Sequence, residues 1–262
     1  MPGWRWRRRS VKVDDDLECA LDPVALARRL GFAPDPWQIG VLRSAGRRLL
    51  LNCARQTGKS TTTALMALHR VLYYPRSLVL LVSPSLRQSS ELFRKVADFL
   101  SRLDSPPTLT EDNKLSLALP NGSRVVSLPS SEATIRGFSS PDLIIEDEAA
   151  RVSDELYYAC RPMLSVSGGR LILMSTPFGK RGHFFEAWQN GGDGWERSLT
   201  KAEGCPRISP TFLAEERASM GDWWYRQEYE CEFVEVMDSV FSYDLILSAM
   251  SADVKPLFGE GL

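Results

Sequence analysis

The sequence predicts an α/β fold: a mainly parallel central sheet flanked by helices, with an antiparallel hairpin addition and a small C-terminal helical lid. Three observations predict it. Short apolar runs of strand length alternate with longer segments of helical periodicity. Several of those runs end at small polar or acidic residues, as buried parallel strands do where they deliver groups to a site. In mid-chain, Pro120-Asn121-Gly122 places an Asn-Gly turn signal between two alternating runs.

Taken in order, residues 1–20 read as an extended arm carrying the basic cluster Trp4-Arg5-Trp6-Arg7-Arg8-Arg9 and then Asp14-Asp15-Asp16. Asp22 before Pro23 predicts a helix running to Leu30, because proline suits the first helical position. The core begins near Asp35. Leu49–Cys53 is the first strand and Ser60–Tyr74 its helix, closed by Pro75. Leu78–Val82 is a buried strand ending at Ser83-Pro84, and Gln88–Leu103 an amphipathic helix ending before Pro106-Pro107. Strand, helix and strand again require a right-handed crossover, so these strands are parallel.

Leu115–Leu119 and Arg124–Leu128 form the hairpin around Asn121-Gly122. The strand Leu143-Ile144-Ile145-Glu146-Asp147-Glu148 follows, then a helical stretch over Asp154–Met163, the strand Leu171–Met174 and a helix near His183–Asn190. Gly191-Gly192-Asp193-Gly194 is a turn and Trp195–Leu199 a last strand. From Pro210 the chain reads as helical, with Trp223, Trp224, Tyr225 and Tyr229 spaced to pack a small subdomain against the cleft as core residues. The expected organisation is an arm and helix over 1–30, a core over 31–208, a lid over 209–250 and a tail over 251–262.

Composition bounds the function. The 262 residues carry 32 basic and 33 acidic side chains, a net charge of −1, which argues against strong static binding to nucleic acid. A 44% hydrophobic fraction supports a sizeable core. Cys19, Cys53, Cys160, Cys205 and Cys231 are odd in number and lack a CxxC spacing, so neither a disulfide framework nor a zinc site is expected, and a reducing compartment is the natural setting. No run reaches the roughly 18 apolar residues of a membrane helix, and the arginine-rich start lacks the apolar core of a signal peptide. Synthesis and use in the cytosol are expected.

The chemistry concentrates in Ala54-Arg55-Gln56-Thr57-Gly58-Lys59-Ser60, set between the first strand and its helix. Such a loop turns its N–H groups, here those of Arg55 to Thr61, toward phosphate oxygens at a helix N-terminus. Lys59 would reach the β- and γ-phosphates of ATP and Ser60 would hold Mg²⁺. The first glycine of the usual phosphate-loop pattern is replaced by Cys53. About ninety residues on, Asp147 and Glu148 end an apolar strand, where Asp147 would serve the Mg²⁺ shell and Glu148 would polarise the attacking water.

Together these residues resemble the large terminase subunits, the motor ATPases that move DNA into tailed-phage and herpesvirus capsids, over roughly residues 30–245. Three motifs carry the resemblance: Arg55-Gln56 within the loop, Asp147-Glu148-Ala149, and Ser175-Thr176-Pro177 after its strand. The resemblance implies a P-loop NTPase fold of the ASCE/RecA-like kind. It implies a coupling role for Ser175 and Thr176, linking hydrolysis to movement, and an adenine-reading role for Gln38. It further implies that Arg136 acts as an arginine finger on a neighbouring subunit, with Arg55, a cis contact to phosphate, as the competing candidate. The implied partners are transiently gripped double-stranded DNA, further copies of the chain in a ring on a portal, and a small terminase subunit, all in the host cytoplasm, with no membrane.

Large terminases usually continue into a nuclease domain, whereas residues 246–262 offer only Asp253 and Glu260, so no DNA cleavage is expected of this chain. Two other classes fit the same motifs: a DNA helicase or translocase ATPase, and a nucleotide-gated assembly module that binds ATP to fix an interface.

Overall fold

A computed structural model describes residues 13–129, 135, 137–235 and 243–250. Eight strands form one sheet in the order β3-β4-β5-β2-β6-β7-β1-β8. They are β1 Arg48–Cys53, β2 Leu78–Ser83, β3 Glu111–Asp112, β4 Ser116–Ala118, β5 Arg124–Pro129, β6 Leu143–Asp147, β7 Arg170–Ser175 and β8 Glu196–Thr200. From β5 to β8 every neighbouring pair is parallel. β4 pairs antiparallel with both β3 and β5, so the Asn-Gly hairpin is a sheet extension, as its turn signal requires.

The helices are α1 Val13–Leu21, α2 Pro23–Arg29, α3 Pro36–Arg43, α4 Lys59–Tyr73, α5 Leu86–Ser101, α6 Asp154–Cys160, α7 Gly182–Asn190, α8 Pro210–Met220, α9 Asp222–Glu228 and α10 Tyr243–Ala249. Several begin where the sequence supplies a cap. Asp22 accepts a hydrogen bond from the Val24 N–H at 3.0 Å, and Ser209 accepts one from Phe212 at 3.1 Å.

The expected extended arm needs correction: residues 13–21 are helical. Asp15 and Asp16 stand near its start, where carboxylates favour the positive end of the helix dipole, and Leu17, Ala20 and Leu21 continue it with strong helix formers. The basic cluster at 4–9 lies outside the described residues. The helical stretch after Ser153 runs past Met163, with α6 tightening at Arg161-Pro162 into a 3-10 turn that a short helix over Leu164–Ser167 continues.

The sheet is buried on both faces, and its side chains divide with period two. Leu49, Leu51, Val79, Leu81, Leu143, Ile145, Ile172 and Met174 face one core, shared with α2 to α5. Leu50, Leu80, Val82, Ile144, Leu171 and Leu173 face the other, with residues of α6 and α7. A smaller third cluster joins Ala54 of the loop after β1 to Leu213, Tyr225 and Cys231. Of the four aromatics expected in the lid core, Tyr225 is buried, Trp223 and Tyr229 are half-buried and Trp224 is exposed.

Because β7 lies between β1 and β6, the segments leaving the carboxyl ends of these three strands emerge side by side. That end of a parallel sheet is where ligands bind in such folds.

Candidate nucleotide site

The loop after β1 is held open by its backbone. Gln56 has φ 61° and Gly58 φ 96°, both in the left-handed region. A side chain on Gly58 would put its Cβ 2.8 Å from Gln38 Nε2, so glycine is required on two counts. Lys59 and Ser60 then begin α4, placing the first free N–H groups of that helix beside the loop. Thr57 Oγ1 donates to the Ala54 carbonyl at 2.8 Å, bracing the turn.

The predicted groups converge on this loop. Lys59 Nζ lies 3.2 Å from Glu148 Oε1, and Ser60 Oγ lies 3.5 Å from Asp147 Oδ2. Ser175 Oγ lies 3.5 Å from the other Glu148 oxygen. Thr176, next in the chain, is buried with its hydroxyl unpaired. Glu148 itself sits at φ 53°, ψ 42°, a left-handed conformation that costs a non-glycine residue about 1–2 kcal/mol. Strain of this kind at a strand end aims a side chain across the site.

Burial raises the Asp147 carboxyl, and the neighbouring charge of Glu148 adds to it, to about 6 despite the opposing charge of Lys59. Two carboxylates and a hydroxyl converging in a buried corner form an oxygen donor set of the hard kind that suits Mg²⁺. Asp147 and Ser60 are the residues that fit such a cation.

Gln38 is fully buried and does two things at once. Its Oε1 accepts from the Asp35 N–H at 2.8 Å, forming the capping box of α3, while Nε2 points at the Thr57 carbonyl at 3.5 Å. The residue thus caps α3, and the cap places its amide against the loop. Arg55 stands at the rim, paired with Glu228 of α9 at 2.7 Å. Arg136 lies outside the described residues.

A cleft of about 830 Å³ opens over the loop, lined by Gln38, Arg55, Gln56, Gly58 and Lys59 with neighbours in α4, by Glu148, and by residues that the sequence did not flag. Among the latter, Arg207 Nη2 donates to the Thr57 carbonyl at 2.8 Å and its guanidinium pairs with Asp35 at 2.8 Å. Arg151 Nη2 lies 3.6 Å from Glu228, and its guanidinium stacks over Phe178. Arg151 carries the faint signal of standing three residues after Glu148, whereas Arg207 reaches the loop only through the tertiary fold.

Glu146 also escaped notice. It is fully buried, and its Oε1 lies 2.6 Å from Nε2 of His183, whose Nδ1 lies 3.0 Å from Asp154. Burial pulls the imidazole down, but the hydrogen bond and charge of Glu146, with Asp154 behind it, outweigh burial and hold His183 above its ordinary value. All five cysteines are free and buried. Among the described residues no helix is long and apolar enough to cross a membrane.

The comparisons agree on one family. The family described as terminase large subunit, T4-like virus type, N-terminal, matches residues 50–248. The large terminase subunit of Thermus phage G20c is 28% identical over 249 residues, covering 81% of this chain and 51% of that protein. The corresponding subunit of Escherichia phage T5 is 26% identical over 225 residues, with 80% and 50% covered. The chain thus spans about half the length of these curated relatives. Among solved structures, the large terminase ATPase domain of Thermus phage P74-26 superposes with a TM-score of 0.71 at 23% identity, covering 79% of this chain and 97% of that one. The HK97 bacteriophage large terminase gives 0.66 at 17% identity, with 81% and 55% covered. Fold, loop chemistry and family match together place the chain in the terminase large-subunit family, in its N-terminal part.

Proposed function

We propose that this chain is the ATP-hydrolysing motor domain of a large terminase, which drives double-stranded viral DNA into a procapsid. In this reading it works in the host cytoplasm as a homo-oligomeric ring on a portal, with a small terminase subunit. The observation that carries it is the meeting of Lys59, Ser60, Asp147, Glu148 and Ser175 at three adjacent strand ends, within 3.5 Å along the chain of contacts.

ATP would lie in the cleft with its phosphates against the N–H groups of the loop and of early α4. Lys59, now paired with Glu148, would turn to the β- and γ-phosphates, leaving Glu148 free to hold a water for in-line attack. Bound at Ser60 and Asp147, Mg²⁺ would neutralise charge on the phosphate oxygens. Gln38, fixed by its cap, offers an amide that can read the adenine edge. Ser175, in contact with Glu148, would pass the change at the γ-phosphate to the segment after β7, the coupling role proposed for it and Thr176. Residues 209–250 act as the lid, and Glu228 holds Arg55 and Arg151 toward it.

Two variants separate binding from chemistry. Glu148→Gln should bind ATP within about twofold of wild type and lose turnover by a factor of about 10² or more, since it removes only the water-orienting charge. Lys59→Ala should lose ATP affinity itself, by about tenfold or more. Normal phosphate release by Glu148→Gln, measured beside nucleotide binding, would show that this carboxylate is not the catalytic one.

A further inference from the structure

The residue before the Asp147-Glu148 pair, Glu146, is a carboxylate fully buried in the sheet. Glu146 points into the core that contains Ile144, Tyr157 and Phe184, a position that a leucine would fill at no electrostatic cost. Its compensation is His183, which is equally buried. The imidazole is fixed on every side: Nε2 to Glu146 at 2.6 Å, Nδ1 to Asp154 at 3.0 Å, and its face stacked on Tyr157 with centroids 4.3 Å apart and planes 9° from parallel. The His183 backbone N–H donates to the same Asp154 oxygen at 2.7 Å.

Three elements meet at that ring. Glu146 belongs to β6, one residue before the site carboxylates. Asp154 is the first residue of α6, and His183 the second residue of α7, which follows the Ser175-Thr176 turn. A buried charged pair contributes little net stability compared with well-packed apolar residues, and its best-attested use is to fix one arrangement among several. We propose that His183 is a positioning residue for the hydrolytic site. It locks the carboxyl end of β6, and with it Asp147 and Glu148, to the helix that the Ser175-Thr176 segment must move. This inference rests on the ATPase reading, because the step it positions is water activation by Glu148.

The test uses the physics of the pair itself. His183→Ala alone leaves Glu146 buried and unpaired, and so threatens folding as well as function. Replacing both partners, Glu146→Leu with His183→Phe, restores an apolar core and keeps an aromatic ring against Tyr157. We expect this double variant to fold and melt within a few degrees of wild type, and to bind ATP within about twofold. Its kcat should fall by about tenfold or more with KM for ATP nearly unchanged, the loss of one tightly held geometry. His183→Gln, whose amide nitrogen can reach the position of the imidazole Nε2 and so keep a hydrogen bond to Glu146, should recover part of that kcat.

A double variant that folds, binds ATP and turns over at the wild-type rate would overturn the proposal, leaving the pair a packing device only. A fall in ATP affinity matching the fall in rate would overturn it too, since the effect would then lie in the cleft at large. Wild-type protein that binds ATP without any turnover would remove the ATPase reading first, an outcome visible in the same assay before any variant is compared.

Discussion

At the residue scale, the chemistry proposed for Glu148 starts from a backbone conformation that its side chain disfavours. The strain belongs to the position and the function to the carboxylate, so the two can be separated. Glu148→Gly and Glu148→Ala both remove the carboxylate, its contact with Lys59 and its charge beside Asp147, and both should be inactive. Only glycine relaxes at φ 53°, so the glycine variant should be the more stable of the two by about 1 kcal/mol in denaturant unfolding. Equal stabilities would mean that Glu148 adopts another conformation in solution. Lys59, Ser60, Asp147 and Glu148 were legible in the sequence because their chemistry demands fixed residue types at fixed offsets from strand ends. Arg207 was not, because it reaches Thr57 from a loop 150 residues away. Glu146 was hidden in plain view, reading as one more acid at the end of a strand.

At the scale of elements, the strands were the most readable part of the chain, since parallel strands buried on both faces are near-continuous apolar runs. The two-residue β3 has no such run and went unseen. Helix α1 was missed because its apolar face is thin, Cys19 reaching the core while Leu17 and Leu21 stay exposed. The contact of β6, α6 and α7 through His183 carries a pH signature. Facing the ring are Glu146 from β6, Asp154 from α6 and Tyr157 stacked upon it. The native ring holds its proton above the unfolded value of 6.5, so it contributes stability that is fully present below pH 6.5 and is lost as pH rises through the native value. Wild type should therefore lose melting temperature relative to the Glu146→Leu/His183→Phe variant as pH rises from 6.5. The Asp147 carboxyl, raised to about 6 from 3.8, accrues its cost between those values, and both proteins retain it, so it drops out of the comparison. Parallel melting curves for the two proteins above pH 6.5 would contradict the charged bridge.

At the scale of the whole molecule, an even charge balance and a cleft over the carboxyl ends of β1 and β6 suit the proposed motor, which would grip DNA briefly and complete its site between copies. Of the two arginines expected as fingers, Arg55 is turned toward Glu228 at 2.7 Å. In the proposed reading a neighbouring copy supplies an arginine toward the γ-phosphate, a contribution worth orders of magnitude in rate. The fold and the loop were predictable from one chain, whereas an interface between copies leaves no periodic or motif signal in a single sequence.

The measurement that tests the central claim most directly is Mg²⁺-dependent phosphate release from ATP across a protein concentration series, with bound nucleotide measured in each sample. Turnover that requires Mg²⁺ and whose specific activity climbs with concentration is the predicted result, with Arg136→Ala flat and slow throughout. ATP bound at every concentration with no phosphate released at any would contradict it, and would make the cleft a nucleotide-gated assembly site instead of a motor.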